Sequence, residues 1–116
     1  MSENTIDRAV FDALKDSVGA DFIGELISTF GDESPIMFVN LRQALLEQNV
    51  DAFRREAHSM KTNAATFGAT NLAELAKSLE YLARGNQLDQ VGDQLDLLES
   101  MQKAAQSELE TLINVE

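Results

Sequence analysis

The only histidine of the chain lies between two cations at helical spacing. Arg54 precedes His58 by four residues and Lys61 follows it by three, so the three side chains share one side of a helix. An exposed imidazole in its neutral form is a competent nucleophile at physiological pH. A phosphoryl group on its ring would add negative charge, which Lys61 and Arg54 could neutralise. These residue types are therefore compatible with transient phosphorylation of His58.

Other chemistries fit the sequence less well. A metal site is disfavoured because there is no second histidine and no cysteine, and because cations flank His58. A serine-type triad would need an acid that orients His58, and nothing in the sequence singles one out. A metal-dependent hydrolase would have to use acids that follow the spacing of a solvated helix face, which are Asp89, Asp93, Asp96 and Glu99. Judged by spacing alone, His58 could also be an incidental surface residue of a helical interaction module.

A helix over about residues 51–67 is predicted to carry His58. Its apolar positions form one narrow stripe, made by Phe53, Ala57, Met60, Ala64 and Phe67. At about 100° per residue, His58 lies roughly 140° from the start of that stripe. The stripe must face the core, so His58 must face outward, with the small Ala65 beside it leaving room for a partner. Gly68 is predicted to end this helix in a left-handed conformation.

Further helices are predicted on both sides of this one from apolar residues at three- and four-residue steps. A short helix over about 6–17 would start after the N-cap Thr5 and stop near Gly19. The segment from Asp21 to Leu45 meets a break at Gly31–Pro35 and is either two helices or one kinked helix. A fourth helix would begin at Thr70 or Asn71, with Asn71 and Glu74 as a capping box, and end at Gly85–Asn86. A long one-faced helix would run from Leu88 to Leu112.

These elements predict an all-α fold, an antiparallel up-down four-helix bundle with a short extra N-terminal helix. The length of 116 residues suits one core, so residues 1–116 are expected to form a single domain. The initial methionine favours a free-standing protein over a domain of a longer one.

Charge and composition limit the partners. The net charge of −11 repels phosphate backbones and anionic lipids, so neither nucleic acid nor a membrane is expected as a partner. No apolar run could span a bilayer and the N-terminus is acidic, which predicts a cytoplasmic protein. The charge is distributed unevenly along the chain. Residues 1–33 hold eight acids and two bases, and residues 86–116 hold seven acids and one base, whereas residues 34–85 hold five acids and six bases. The nearly neutral middle contains His58 and is where a partner is expected to dock.

Two stretches resemble the histidine-containing phosphotransfer (HPt) domain family. Residues 57–69, AHSMKTNAATFGA, are similar to its signature A-H-x-L-K-G-x-A-x-x-x-G-A. Residues 72–80, LAELAKSLE, resemble the next helix of the family, L-x-x-L-x-x-x-L-E. The break at Pro35 and the Arg54–Arg55 pair also fit, so the resemblance covers essentially the whole chain.

The resemblance implies a role for each matching residue. His58 would be the phosphorylated histidine, and Lys61 the positively charged side chain that assists the phosphoryl group. Gly68 would be the residue that ends the helix. Thr62 stands where the family most often has glycine. It could limit the approach of a partner, or its hydroxyl could donate a hydrogen bond to phosphate.

The implied function is a phosphorelay carrier and not an enzyme. By resemblance, His58 would accept a phosphoryl group from an aspartyl phosphate of one receiver domain, through Nε2, and pass it to another receiver. The partners would be response-regulator receivers, a hybrid sensor histidine kinase, or both. Mg²⁺ would be held by the receiver, and the chain itself would be a monomer with no cofactor and no ATP-binding motif. The alternative within the family is a pseudo-HPt domain that binds such partners without accepting phosphate.

Overall fold

The computed structural model describes residues 6–114, which form five α-helices and one short 3₁₀ turn. The helices, numbered α1 to α5 in chain order, are Arg8–Val18, Ala20–Glu47, Val50–Thr66, Thr70–Arg84 and Gln94–Asn114; the 3₁₀ turn is Leu88–Gln90. Helices α2 and α4 each pack against both α3 and α5, and α1 packs on α2 and α3. The predicted all-α four-helix bundle with a short N-terminal helix is confirmed. No helix within the described residues is long and apolar enough to cross a membrane.

The core stripe of α3 determines where His58 points. All five predicted positions are buried, namely Phe53, Ala57, Met60, Ala64 and Phe67. Phe30 of α2 stacks on Phe67 with ring centroids 5.1 Å apart. Because burial of this stripe sets the rotation of α3 about its axis, His58 faces away from the core and its side chain is 51% exposed.

Helix α2 is continuous through Pro35, which settles the choice between two helices and one. The proline lacks an N–H group, so one helical hydrogen bond is missing at this level. Gly31, four residues earlier, lies against α5: a Cβ there would be 2.7 Å from Nε2 of Gln106. This amide also donates a hydrogen bond to the carbonyl of Ile27 at 3.0 Å. A polar contact thus joins α2 to α5, and a Cβ on Gly31 would require the Gln106 amide to shift.

Three helices end close to the glycines at which the sequence predicted their ends. Helix α1 stops before Gly19, at φ 95°, and α4 stops before Gly85. Helix α3 stops at Thr66, with Gly68 in the left-handed region at φ 82°. Asp7 caps α1, its carboxylate accepting from two backbone N–H groups of the first turn. The predicted cap Thr5 lies outside the described residues.

One predicted helix cap and one predicted helix start are wrong. Helix α4 begins at Thr70, as predicted. Helix α4 has no capping box: its N-cap position is Ala69, which is fully buried and offers no side-chain acceptor. The N-terminus of α4 is therefore positioned by packing of the α3–α4 loop against the core and not by a side-chain cap. The last helix does not begin at Leu88, because Gly92, at φ 53°, separates the 3₁₀ turn from α5. Leu88 and Val91 remain buried, so the turn closes one end of the bundle.

Gly68 joins the N-terminal segment to the α3–α4 loop. Its carbonyl accepts the N–H of Asp7 at 2.7 Å and the N–H of Thr70 at 2.9 Å. A Cβ on Gly68 would meet the carbonyl oxygen of Asp7 at 2.7 Å, a contact with backbone that cannot rotate away.

Replacing Gly68 with alanine should destabilise the fold by about 1–3 kcal/mol, because it adds left-handed strain to this clash. Urea unfolding of the variant checks the value. Gly24→Ala is the matched control, since Gly24 is helical and a Cβ there meets nothing within 4 Å. The control should be neutral or stabilised by up to about 1 kcal/mol. Equal stability of the two variants would contradict the role given to Gly68.

Candidate functional site

His58 is held by a buried carboxylate of the neighbouring helix. Its Nδ1 lies 3.0 Å from Oε2 of Glu80 on α4. The side chain of Glu80 is only 4% exposed, whereas the imidazole is half exposed. The acid that the sequence did not single out is therefore Glu80, and it orients the ring by a hydrogen bond across the α3–α4 interface.

Two cations complete the surroundings of Glu80. Nζ of Lys61 lies 2.8 Å from Oε1, and a guanidinium nitrogen of Arg84 lies 3.1 Å from Oε2. The carboxylate of Glu80 thus receives hydrogen bonds from three side chains. His58 and Lys61 donate from α3, and Arg84 donates from α4. Such pairing is what a buried charge requires, because burial alone would disfavour the ionised form.

The pKa of Glu80 reflects this balance. Burial pushes the pKa of its carboxyl upward, but hydrogen bonds from Lys61, His58 and Arg84 outweigh burial and lower the pKa from 4.5 to about 2. Glu80 is therefore ionised at neutral pH. An ionised carboxylate can only accept hydrogen bonds, so Nδ1 of His58 must carry the proton. In the neutral ring, Nε2 then has a free electron pair on the exposed side.

The buried face of α4 explains how Glu80 reaches His58. That face consists of Leu72, Ala76, Leu79, Glu80 and Ala83. Leu75 and Leu82 of the same helix are only partly buried. Alanines let α4 approach α3 closely, so a glutamate on this face can span to side chains of α3. The signal was present in the sequence: Glu80 follows Ala76 by four residues and therefore shares its face.

The other predicted site residues lie on both sides of the histidine. Arg54 is turned toward Asp51, which accepts a hydrogen bond from its guanidinium at 2.9 Å. This bond, together with the charge of Arg55, lowers the pKa of Asp51. Thr62 and Ala65 are exposed one and two turns after His58, and Gly68 lies in the loop beyond. Of the two cations predicted beside His58, Lys61 binds Glu80, whereas Arg54 binds Asp51.

An open groove lies on the other side of His58, between α2 and α3. His58 and Thr62 are on its rim, and α2 contributes Glu33, Ile36, Met37 and Asn40. No group of His, Cys, Asp or Glu side chains within residues 6–114 could hold a metal ion. The site is therefore an exposed imidazole on a helix surface, with a groove on one side and cations on the other.

The chain is similar to known proteins in sequence and in fold. The Hpt domain family model matches residues 25–113, most of the chain. This chain belongs to the Hpt domain family. The phosphorelay protein LuxU of Vibrio harveyi is 25% identical over 92 residues, which cover 79% of this chain and 81% of LuxU. The crystal structure of histidine-containing phosphotransfer protein B (HptB) from Pseudomonas aeruginosa PAO1 superimposes with a TM-score of 0.89, covering 99% of each chain at 24% identity.

Membership in the Hpt family confirms two of the predictions made from sequence. The resemblance that residues 57–69 and 72–80 indicated is correct, and the function class is histidine phosphotransfer in a phosphorelay. The likeness to HptB confirms the fold. Hpt proteins are carriers of a phosphoryl group and not enzymes in the usual sense.

Replacing Glu80 with glutamine should make the free energy of unfolding less dependent on pH between about 2 and 4.5. Because the pKa of Glu80 is lower in the folded state than its ordinary 4.5, its ionisation stabilises the fold above pH 4.5, and this contribution is lost as the pH falls toward 2. It amounts to about 3 kcal/mol. Urea unfolding of both proteins should show that difference at pH 7 and almost none near pH 2. A difference that persists at pH 2 would contradict the ionic role of Glu80.

Proposed function

We propose that His58 is the phosphoacceptor of this Hpt protein and that Nε2 is the atom that bonds to phosphorus. The observation that carries the proposal is the hydrogen bond of Nδ1 to the ionised, buried Glu80. It orients the ring, fixes the tautomer, and leaves Nε2 as the nitrogen with an available electron pair. No contact with another described residue occupies Nε2.

The transfer itself is written as one displacement. The Nε2 electron pair attacks the phosphorus of an aspartyl phosphate, the N–P bond forms, and the bond from phosphorus to the aspartate oxygen breaks. The aspartate leaves as a carboxylate, so no proton has to move. The imidazole ring becomes positively charged, and the Glu80 carboxylate stabilises it through the Nδ1–H bond that is already in place. The same steps in reverse pass the phosphoryl group to a second aspartate.

Lys61 is proposed to stabilise the phosphoryl group. In the unphosphorylated protein its ammonium binds Oε1 of Glu80 at 2.8 Å, one helical turn from His58. A phosphoryl group on Nε2 would bring new negative charge within reach of the three donors of this ammonium. Arg54 and Thr62 are proposed as weaker contributors, since Arg54 already binds Asp51 and Thr62 is exposed one turn after His58.

The proposed partners are receiver domains of response regulators and of a hybrid sensor kinase. Mg²⁺, which the transfer is expected to need, is proposed to be held by the receiver. A carrier that meets such receivers would work in the cytoplasm, as a monomer, with residues 1–116 as its single domain. Ala65 is small and exposed beside the histidine, which leaves space for the partner's active site.

The first test is transfer from a phosphorylated receiver with Mg²⁺. We expect the wild-type chain to gain an acid-labile, base-stable phosphate, and His58→Gln to gain none. Far-ultraviolet circular dichroism of both proteins checks that the variant remains folded. Binding of receivers without any phosphate transfer would instead identify a pseudo-Hpt domain.

A second test separates Lys61 from Arg54. Lys61→Gln should slow the transfer by about tenfold or more, because one charge-assisted contact to the phosphoryl group is lost. Arg54→Gln, which removes an equal charge four residues before His58, should slow it by less than about threefold. Rapid-quench measurement of phosphohistidine formation gives both rates. Equal rates for the two variants would remove the special role of Lys61.

A further inference from the structure

The two sides of His58 differ in charge. On the α4 side, Lys61 and Arg84 both bind Glu80. On the α2 side, the groove is lined by Glu33 and Glu56, and neither forms an ion pair with any residue of the described range 6–114. Asn40 donates a hydrogen bond to Glu56 at 3.3 Å, a neutral contact that leaves its charge uncompensated.

The same groove has an apolar wall. Ile36 lines it with 60% of its surface exposed, and Met37 forms part of its floor. Val39, 65% exposed, follows on the outer side of α2. Large aliphatic side chains this exposed are candidates for contact with another protein. The volume of about 610 Å³ suits a few side chains of a partner.

We propose that this groove is a specificity site for receiver domains, and that it selects those that place an apolar side chain against Ile36 and a lysine or arginine between Glu33 and Glu56. The inference rests on the proposed function, because it assumes that the partner is a receiver approaching His58. It adds which receivers are accepted and how they are oriented.

Charge complementarity argues for this occupant. Two uncompensated acids beside a histidine that gains negative charge repel an acidic surface, so a partner without a cation here pays an electrostatic cost. A cation placed between Glu33 and Glu56 removes that repulsion. On the opposite side of His58, Lys61 and Arg84 suit the acidic residues that surround a phosphoryl-accepting aspartate. The asymmetry therefore permits one orientation of the partner and disfavours the reverse.

The test compares transfer from a partner with phosphorylation by a small donor. Purified receiver domains are phosphorylated with acetyl phosphate and Mg²⁺, and those that pass phosphate to the wild-type chain are kept. With them, the double variant Glu33→Lys, Glu56→Lys should be about tenfold slower at low salt, because rim charges act on the association rate. The Glu33→Gln, Glu56→Gln variant should be about threefold slower. Labelling of His58 by phosphoramidate should stay within twofold for both.

The control variant is Glu74→Lys, Asp89→Lys, which changes the net charge equally on exposed positions away from the groove. It should transfer at the wild-type rate. Slowing equal to that of the groove variant, or wild-type rates for the groove variant, would overturn the proposal. If phosphoramidate fails to label the wild-type His58, the proposed function fails instead. Labelling by phosphoramidate with no transfer from any receiver would remove the partner class, and this inference with it.

Discussion

The carboxylate of Glu80 is the interaction on which the site depends. Glu80 is buried at the α3–α4 interface, where an unpaired charge would be too costly to keep. It is retained because Lys61, Arg84 and His58 each donate a hydrogen bond to it. The same bonds orient the imidazole and determine which nitrogen carries the proton. The burial of Glu80 and the orientation of His58 therefore have one origin, since the hydrogen bonds that compensate the carboxylate also fix the imidazole ring.

The bundle contributes rigidity and close approach. The apolar stripe of α3 fixes the rotation of that helix, so His58 is exposed without any loop to hold it. Small residues on α4, such as Ala76 and Ala83, bring the two helices close enough for Glu80 to reach across. Gly68 then ties the α3–α4 loop to the N-terminal segment through its carbonyl. Such a fixed surface holds the imidazole of His58 in one place on the bundle.

Charge is distributed unevenly at two scales, along the chain and around His58. The ends of the chain hold most of the acids, and the middle, residues 34–85, is nearly neutral. Around His58 the charges separate again, with cations toward α4 and Glu33 and Glu56 toward α2. Because this second asymmetry is only a few side chains wide, it acts on a partner already in contact, whereas the net charge acts at a distance. The two asymmetries can thus act at different stages of an encounter with a partner.

Periodicity and motif were sufficient for the helices, the outward direction of His58 and the assignment to the Hpt family, because these depend on local spacing along the chain. Local spacing also placed Lys61 one turn from the histidine. Two features depended on contacts between distant segments. The buried Ala69 replaced the predicted cap of α4, and Glu80 became the partner of His58, 22 residues away. An acid on a helix face has no assigned role until another helix packs against it, so only the tertiary structure could decide which nitrogen of His58 binds a carboxylate.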